Sequence, residues 1–248
     1  MSSSNGASWK SRLYNSYISS EQAAADVKDT ADEMFRPRKA FINSIIAKHL
    51  PHDRSVRILD LGCGHGAFLY FLSQAGYKNI YGIDISQEQV ELAHQLGISE
   101  ARHGTLEEVL SEEKDGCVDV VLVMDVLEHL IKDDLFHILD EIRRVLKHNG
   151  MCIAHVPNAE GLYGMRIRYG DMTHEQAFTP TSARQVFRTI GFSKVACYED
   201  KPVVHGMKSL VRRVIWDTGT FYHRLMLIAE TGSPSAVLSQ NMLVKAVM

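Results

Sequence analysis

Asp60-Leu61-Gly62-Cys63-Gly64-His65-Gly66-Ala67 is the stretch on which the reading of this 248-residue chain turns. It continues Val56-Arg57-Ile58-Leu59, an apolar run that reads as a buried strand, and leads into Ala67 to Ala75, which reads as a helix. Glycines at such a junction allow a tight turn and let a ligand approach the backbone closely. The glycine pattern alone serves two chemistries. Gly62, Gly64 and Ala67 also satisfy a dinucleotide-binding fingerprint, which would make the chain an oxidoreductase.

Asp60 separates the two. It lies two residues before the first glycine, at the carboxyl end of the strand, where a dinucleotide would place its pyrophosphate. A carboxylate there repels a diphosphate and favours the ammonium and sulfonium end of S-adenosylmethionine. The plainer alternative is an acid that only caps the turn. Asp84 ends the next strand, a little over twenty residues on, where an acid can accept both ribose hydroxyls of an adenosine. A nicotinamide cofactor would use the same residue, so Asp84 points to adenosine without naming its carrier.

Working outward, strands and helices alternate. Ile80 to Ile85 reads as a second strand, and Ser86 caps the following helix with Gln89 in a capping-box position. That helix stops at Gly97. Glu100 to His103 reads as a third strand and Val118 to Met124, apolar but for Asp119, as a fourth. Leu135, Ile138, Leu139, Ile142 and Leu146 trace a helix expected to close at Asn149-Gly150, before a fifth strand from Met151 to Val156. Thr179-Pro180 opens another helix, and Val195 to Glu199 and Met242 to Val247 read as two final strands. This alternation predicts an α/β fold with a parallel sheet covered on both faces.

The organisation expected is a helical cap over residues 1–50, a core over 51–200, and a helical insertion with the final strand over 201–248. Phe41, Ile45, Ile46 and Leu50 are spaced for one buried face of the cap. The insertion, 207 to 230, reads as mostly helical and interrupted near Gly219. It is basic and amphipathic, which suits a membrane surface, a lipid-linked acceptor, or packing on its own domain or a second subunit.

Composition narrows the classes. With 27 Lys and Arg against 30 Asp and Glu, the formal charge is −3, and no dense basic tract marks a nucleic-acid binder. No secretory leader and no apolar run long enough for stable membrane insertion are expected. The four cysteines, Cys63, Cys117, Cys152 and Cys197, are dispersed and read as reduced thiols of a cytoplasmic protein. No metal-ligand spacing is visible: His65, His94 and His103 are too scattered, so no metal is expected.

These residues resemble the class I S-adenosylmethionine-dependent methyltransferase family. Ile58 to Gly66 looks like its first motif, Gly82-Ile83-Asp84-Ile85-Ser86 its second, and Val121 to Leu130 its fourth. The resemblance covers roughly residues 40 to 200 and implies a Rossmann-like, doubly wound sheet of seven strands, mainly parallel with one antiparallel strand. It also implies that Asp60, Gly62 and Gly64 hold the methionine end, that Asp84 holds the ribose, and that Ile85 after it is a further cofactor-binding residue. Thr105 and Leu106 then border the adenine, although many members carry an acid where this chain has Thr105. Asp125, Val126 and His129 match the loop beneath the methionine, where His129 can equally be a histidine packed on the sheet.

The acceptor side is less constrained. The Asn/Asp-Pro-Pro-aromatic motif of many amino-methylating enzymes is replaced by Asp125-Val126-Leu127-Glu128, which disfavours amide and base chemistry. The loop from Pro157 to Thr179 carries His174, a candidate general base that Asp171 or Glu175 can orient. Holding the loop together is the alternative role. Tyr14 and Tyr17 can close over the cofactor or serve as core aromatics, and Arg36 and Arg38 can face an anionic acceptor or solvent. The tyrosine-rich start, the Asp171-Met172-Thr173-His174 loop and the late insertion look like methyltransferases of bacterial surface-polysaccharide gene clusters. The implied acceptor is a sugar or another hydroxylated small molecule, with a possible homodimer as the assembly. A quinone or polyketide methyltransferase, a catalytically silent adenosylmethionine-binding subunit and a nicotinamide-dependent oxidoreductase stand as alternatives.

Overall fold

The computed structural model describes residues 9–14 and 27–248. Its strands are β1 (Ile58–Leu61), β2 (Ile80–Asp84), β3 (Ala101–His103), β4 (Val118–Met124), β5 (Leu146–Pro157), β6 (Lys194–Glu199) and β7 (Asn241–Val247). They form one sheet in the order β3-β2-β1-β4-β5-β7-β6. β1 to β5 pair in parallel, and β7 runs antiparallel to both β5 and β6. The Rossmann-like sheet of seven strands, with one reversed, is therefore present as the sequence implies.

The helices are α1 (Trp9–Tyr14), α2 (Ala31–Phe35), α3 (Lys39–His49), α4 (Ala67–Gln74), α5 (Gln87–Gln95), α6 (Leu106–Glu112), α7 (Lys132–Val145), α8 (Gly164–Arg168), α9 (Pro180–Ile190) and α10 (Met207–Thr231). They cover both faces of the sheet. β4 shows why its run from Val120 to Met124 is apolar: Val121 and Val123, with Val118, pack with α7 and α9, whereas Val120, Leu122 and Met124 pack with α3 and α4, and the half-buried Asp119 stands at the strand's entry. A strand buried on both faces has no solvent side on which to carry polar residues.

Several boundaries differ from the sequence expectation. α7 ends at Val145, not at Asn149-Gly150, because Leu146 is already extended and pairs with Val118. The register shifts between Val118 and Val120, and Asn149 takes the left-handed conformation at φ 65° within that irregularity. The turn-forming pair thus marks a bulge in β5 rather than a helix end. Within the described part of the cap the helix is divided: Arg36, Pro37 and Arg38 turn between α2 and α3, since proline cannot donate within a helix interior. On α3 the buried positions are Ile42, Ile45 and Ile46, with Phe41 only half-buried. Tyr17 and the side chain of Tyr14 lie outside the described residues.

α10 runs without a break through Gly219, contrary to the expected interruption. At about 1.5 Å per residue it extends close to 40 Å. Only Ser209 and Thr220 of its residues are buried. Among the described residues, no helix is long and apolar enough to cross a membrane, and all four cysteines are unbonded.

Candidate active site

The chain order of the sheet reverses between β1 and β4, and a crevice opens there beyond the carboxyl ends of the strands. It is a cavity of about 570 Å³. β1 brings Asp60, β2 brings Asp84 and Ile85, and the turn after β3 brings Thr105 and Leu106. β4 delivers Asp125 and Val126, and the 3₁₀ turn after it delivers His129. All ten residues expected to hold a cofactor line this one space.

The glycine bend is built by close approach. Gly62 has φ +75°, and a Cβ on it would collide with Val126 Cγ2. Only glycine meets both conditions at once. Asp84 reaches across and accepts from Gly64 N and Ser86 N, each at 2.8 Å, so the second strand pins the bend of the first. These bonds explain half of the anticipated capping box. Ser86 Oγ accepts from Gln89 N, but Gln89 turns its own side chain to His65 at 2.8 Å. Thr105 caps α6 through a complete box with Glu108, a local role that the sequence reading did not assign.

Asp60 is 2% exposed, and its Oδ1 has no hydrogen-bond partner. Burial raises its pKa to about 7, with the Asp84 charge adding to the rise and Arg38 opposing it. Burial likewise raises Asp84, against the hydrogen bonds from the Ser86 and Gly64 backbone. Two acids beside each other, each pushed toward the neutral form, make a wall that attracts a cation.

Asp125 has a left-handed backbone, φ 59°, unusual for a residue other than glycine. The turn directs Oδ1 to His155 Nδ1 at 2.6 Å and Oδ2 toward Arg38 at 4.0 Å. Burial works against the charge of Asp125, but His155 outweighs it and holds the acid below its usual range. His155 is pushed up to about 10: burial opposes its charge, and Asp125 and Asp200 overcome that.

Sequence reasoning missed part of this site. Met34, Phe35 and Arg38 close the cavity from α2 and the turn beyond it. Phe35 stacks on His65 with ring centres 5.4 Å apart. Arg38, expected to face an anionic acceptor or solvent, lines the same cavity as the ten residues above. His155 sits within an apolar strand, and only its partner Asp125 identifies a role. Nothing in local pattern signals such pairs.

His174 is not among the residues lining the cavity. Its ring packs against His129 at 4.6 Å, donates from Nδ1 to the Ile167 carbonyl at 3.0 Å, and faces Glu128 Oε1 at 4.0 Å. Asp171 Oδ1 accepts from both the backbone and the hydroxyl of Thr173, at 2.7 and 2.6 Å. Thr173 Oγ1 in turn meets His129 Nδ1 at 2.8 Å. Burial drives His129 down to about 4, with the neighbouring His174 adding to the fall. Glu128 is 1% exposed and lies well above the ordinary carboxylate range through burial and the Asp125 charge. The fold thus joins Glu128, His129 and His174, which spacing along the chain could not group.

Residues 59–154 match the family described as Methyltransferase domain. Over 99 residues the chain is 32% identical to the O-antigen chain terminator bifunctional methyltransferase/kinase WbdD of Escherichia coli, covering 38% of this chain and 13% of that protein. It is 30% identical over 149 residues to the ubiquinone biosynthesis O-methyltransferase of Maricaulis maris, covering 56% and 57% of the two chains. The chain therefore spans less than two thirds of these relatives. A methyltransferase structure from Archaeoglobus fulgidus, described as SAM-dependent, aligns with a TM-score of 0.64 at 22% identity, covering 88% and 97% of the chains. Phosphoethanolamine N-methyltransferase 2 of Haemonchus contortus, solved with S-adenosyl-L-methionine, aligns at a TM-score of 0.61 and 14% identity, covering 98% of this chain and 60% of that one.

Proposed function

The chain carries a class I S-adenosylmethionine-dependent methyltransferase domain, and from that premise we propose that it methylates a hydroxyl oxygen of a sugar or similar small acceptor. The observation that carries the cofactor half is Asp60, a buried carboxylate with an unpaired oxygen at a glycine bend. Such an atom is costly unless a ligand satisfies it. The cradle fits the methyl donor: Gly62 keeps the bend clear, Asp60 answers the cationic methionine end, and Asp84 and Ile85 lie where a ribose would be held. Thr105 and Leu106 border the adenine end, and Asp125, Val126 and His129 form the wall beneath the methionine.

Bound there, S-adenosylmethionine supplies an electrophilic methyl group, whose transfer to oxygen leaves the bonding pair on sulfur and releases the hydroxyl proton. The chain's own residues position and exclude water. Phe35 and Met34 cover the cavity, and the Asp125–His155 pair fixes the β4 turn from behind. Alignment of nucleophile and methyl carbon supplies much of the rate in such a transfer. His174 belongs to the acceptor side, reaching the cavity through His129.

One relative, named for O-methylation in ubiquinone biosynthesis, supports oxygen as the methylated atom; the other, named as an O-antigen chain terminator, supports a glycan acceptor. The quinone reading is the second candidate. Calorimetry with S-adenosylmethionine and NAD tests the cofactor assignment, and binding of NAD alone would end it. Release of adenosylhomocysteine with glycans and with quinone precursors separates the acceptors. Turnover with neither class would leave a silent binding subunit. His174→Ala is expected to lower turnover at least tenfold with cofactor affinity unchanged.

A further inference from the structure

Three acceptor groups converge behind the cavity wall. Glu128 Oε2 is buried and has no hydrogen-bond partner. Thr173 has one hydroxyl proton, which it gives to Asp171, so it accepts from His129 Nδ1–H. That tautomer places the lone pair of His129 on Nε2. His174 spends its Nδ1–H on the Ile167 carbonyl, which leaves its own lone pair on Nε2, 4.0 Å from Glu128 Oε1. One ligand atom from each of Glu128, His129 and His174 lies within 4.8 Å of the other two.

We propose that Glu128, His129 and His174 bind one divalent first-row transition cation. Two imidazoles and one carboxylate are a donor set suited to Zn²⁺, Fe²⁺ or Mn²⁺. Ligands about 2.1 Å from a shared ion lie roughly 3–4 Å apart, so the set closes with movements below about 1 Å. Fixing each Nδ1 on an oxygen is how metal-binding histidines are held and made more basic. Here Thr173, itself anchored by Asp171, and the Ile167 carbonyl do so.

Of the three, His129 also lines the cavity, which sets an ion held by it next to the space where an acceptor oxygen would meet the methyl donor. A hydroxyl bound to the ion ionises at lower pH, which does the work otherwise asked of a general base. His174 is then a ligand and not the base, since one lone pair serves only one partner. This role rests on the function proposed above; binding of the ion does not.

The full chain, stripped with chelator, is titrated with MnCl₂ followed by electron paramagnetic resonance and with ZnCl₂ followed by calorimetry. We expect one saturable site per chain, weakened in His174→Ala and in Glu128→Gln by more than the roughly 10–100-fold that loss of an outer partner costs. Adenosylhomocysteine affinity should stay unchanged in both variants, which shows that they are folded. Absence of saturable binding of either ion, or variant affinities equal to the parent, overturns the proposal. If Glu128→Gln does not fold, His174→Ala decides. Failure of the parent chain to bind adenosylhomocysteine would instead sink the methyl-donor reading and leave the cation result standing.

Discussion

At the scale of single residues, buried charge sets how the protein responds to pH. Asp60 titrates near pH 7 because burial penalises its anion. A cationic ligand favours that anion, so affinity for S-adenosylmethionine should weaken by up to about tenfold per pH unit below about 7. Asp60→Asn should remove this dependence and cost roughly 10–100-fold in affinity, the scale of a charge-assisted hydrogen bond. Calorimetry between pH 5.5 and 8 reads both. His155 behaves in the opposite sense. Its folded pKa, about 10, lies above the free value of 6.5. Its pairing with Asp125 therefore stabilises fully below pH 6.5, and that contribution is lost as pH rises through about 10. Urea midpoints measured from pH 6 to 10 should fall more steeply for the parent than for Asp125→Asn. Parallel profiles would remove the pair from the stability balance.

At the scale of elements, short-range signals decided most boundaries, and tertiary pairing decided the rest. Thr179-Pro180 starts α9 and Gly191, at φ 110°, ends it, as capping chemistry predicts. Asn149-Gly150 carries the same turn signal, but pairing of Leu146 with Val118 begins the strand before it. Gly219 is the other departure. It lies inside α10 with no atom within 4 Å of where a Cβ would stand. Glycine there costs the helix backbone entropy without serving a contact. Gly219→Ala should raise stability by about 0.5–1 kcal/mol, read as a higher denaturant midpoint with an unchanged slope. A loss of stability would mean that the helix needs the freedom of glycine.

At the scale of the whole molecule, one sheet both holds the core and shapes the site. Its middle strand, β4, is buried on both faces and is followed directly by Asp125 and Val126 at the cavity. Leu122 is 0% exposed within that strand. Leu122→Ala should cost roughly 2–5 kcal/mol, several degrees in melting temperature for a chain of this size. Cofactor affinity should follow the folded fraction rather than drop independently. A thermal melt run with and without S-adenosylmethionine separates the two, because a ligand that binds only the folded state raises the midpoint of both proteins.

The amino-acid sequence alone determined the α/β class, the alternating elements and the ten residues that come to line one cavity. The first of them were legible because each piece is local: an acid, a glycine bend and a following helix occupy eight consecutive residues, 60–67. Tertiary structure decided what depends on distant partners. His155 gains its charge from Asp125, thirty residues away, and Arg38 reaches the same acid from the turn before α3. His174 meets Glu128 and His129 only because the loop after β5 folds back over the end of β4. Side chains far apart along the chain have no shared periodicity to betray them; burial and the closing of the sheet bring them within reach.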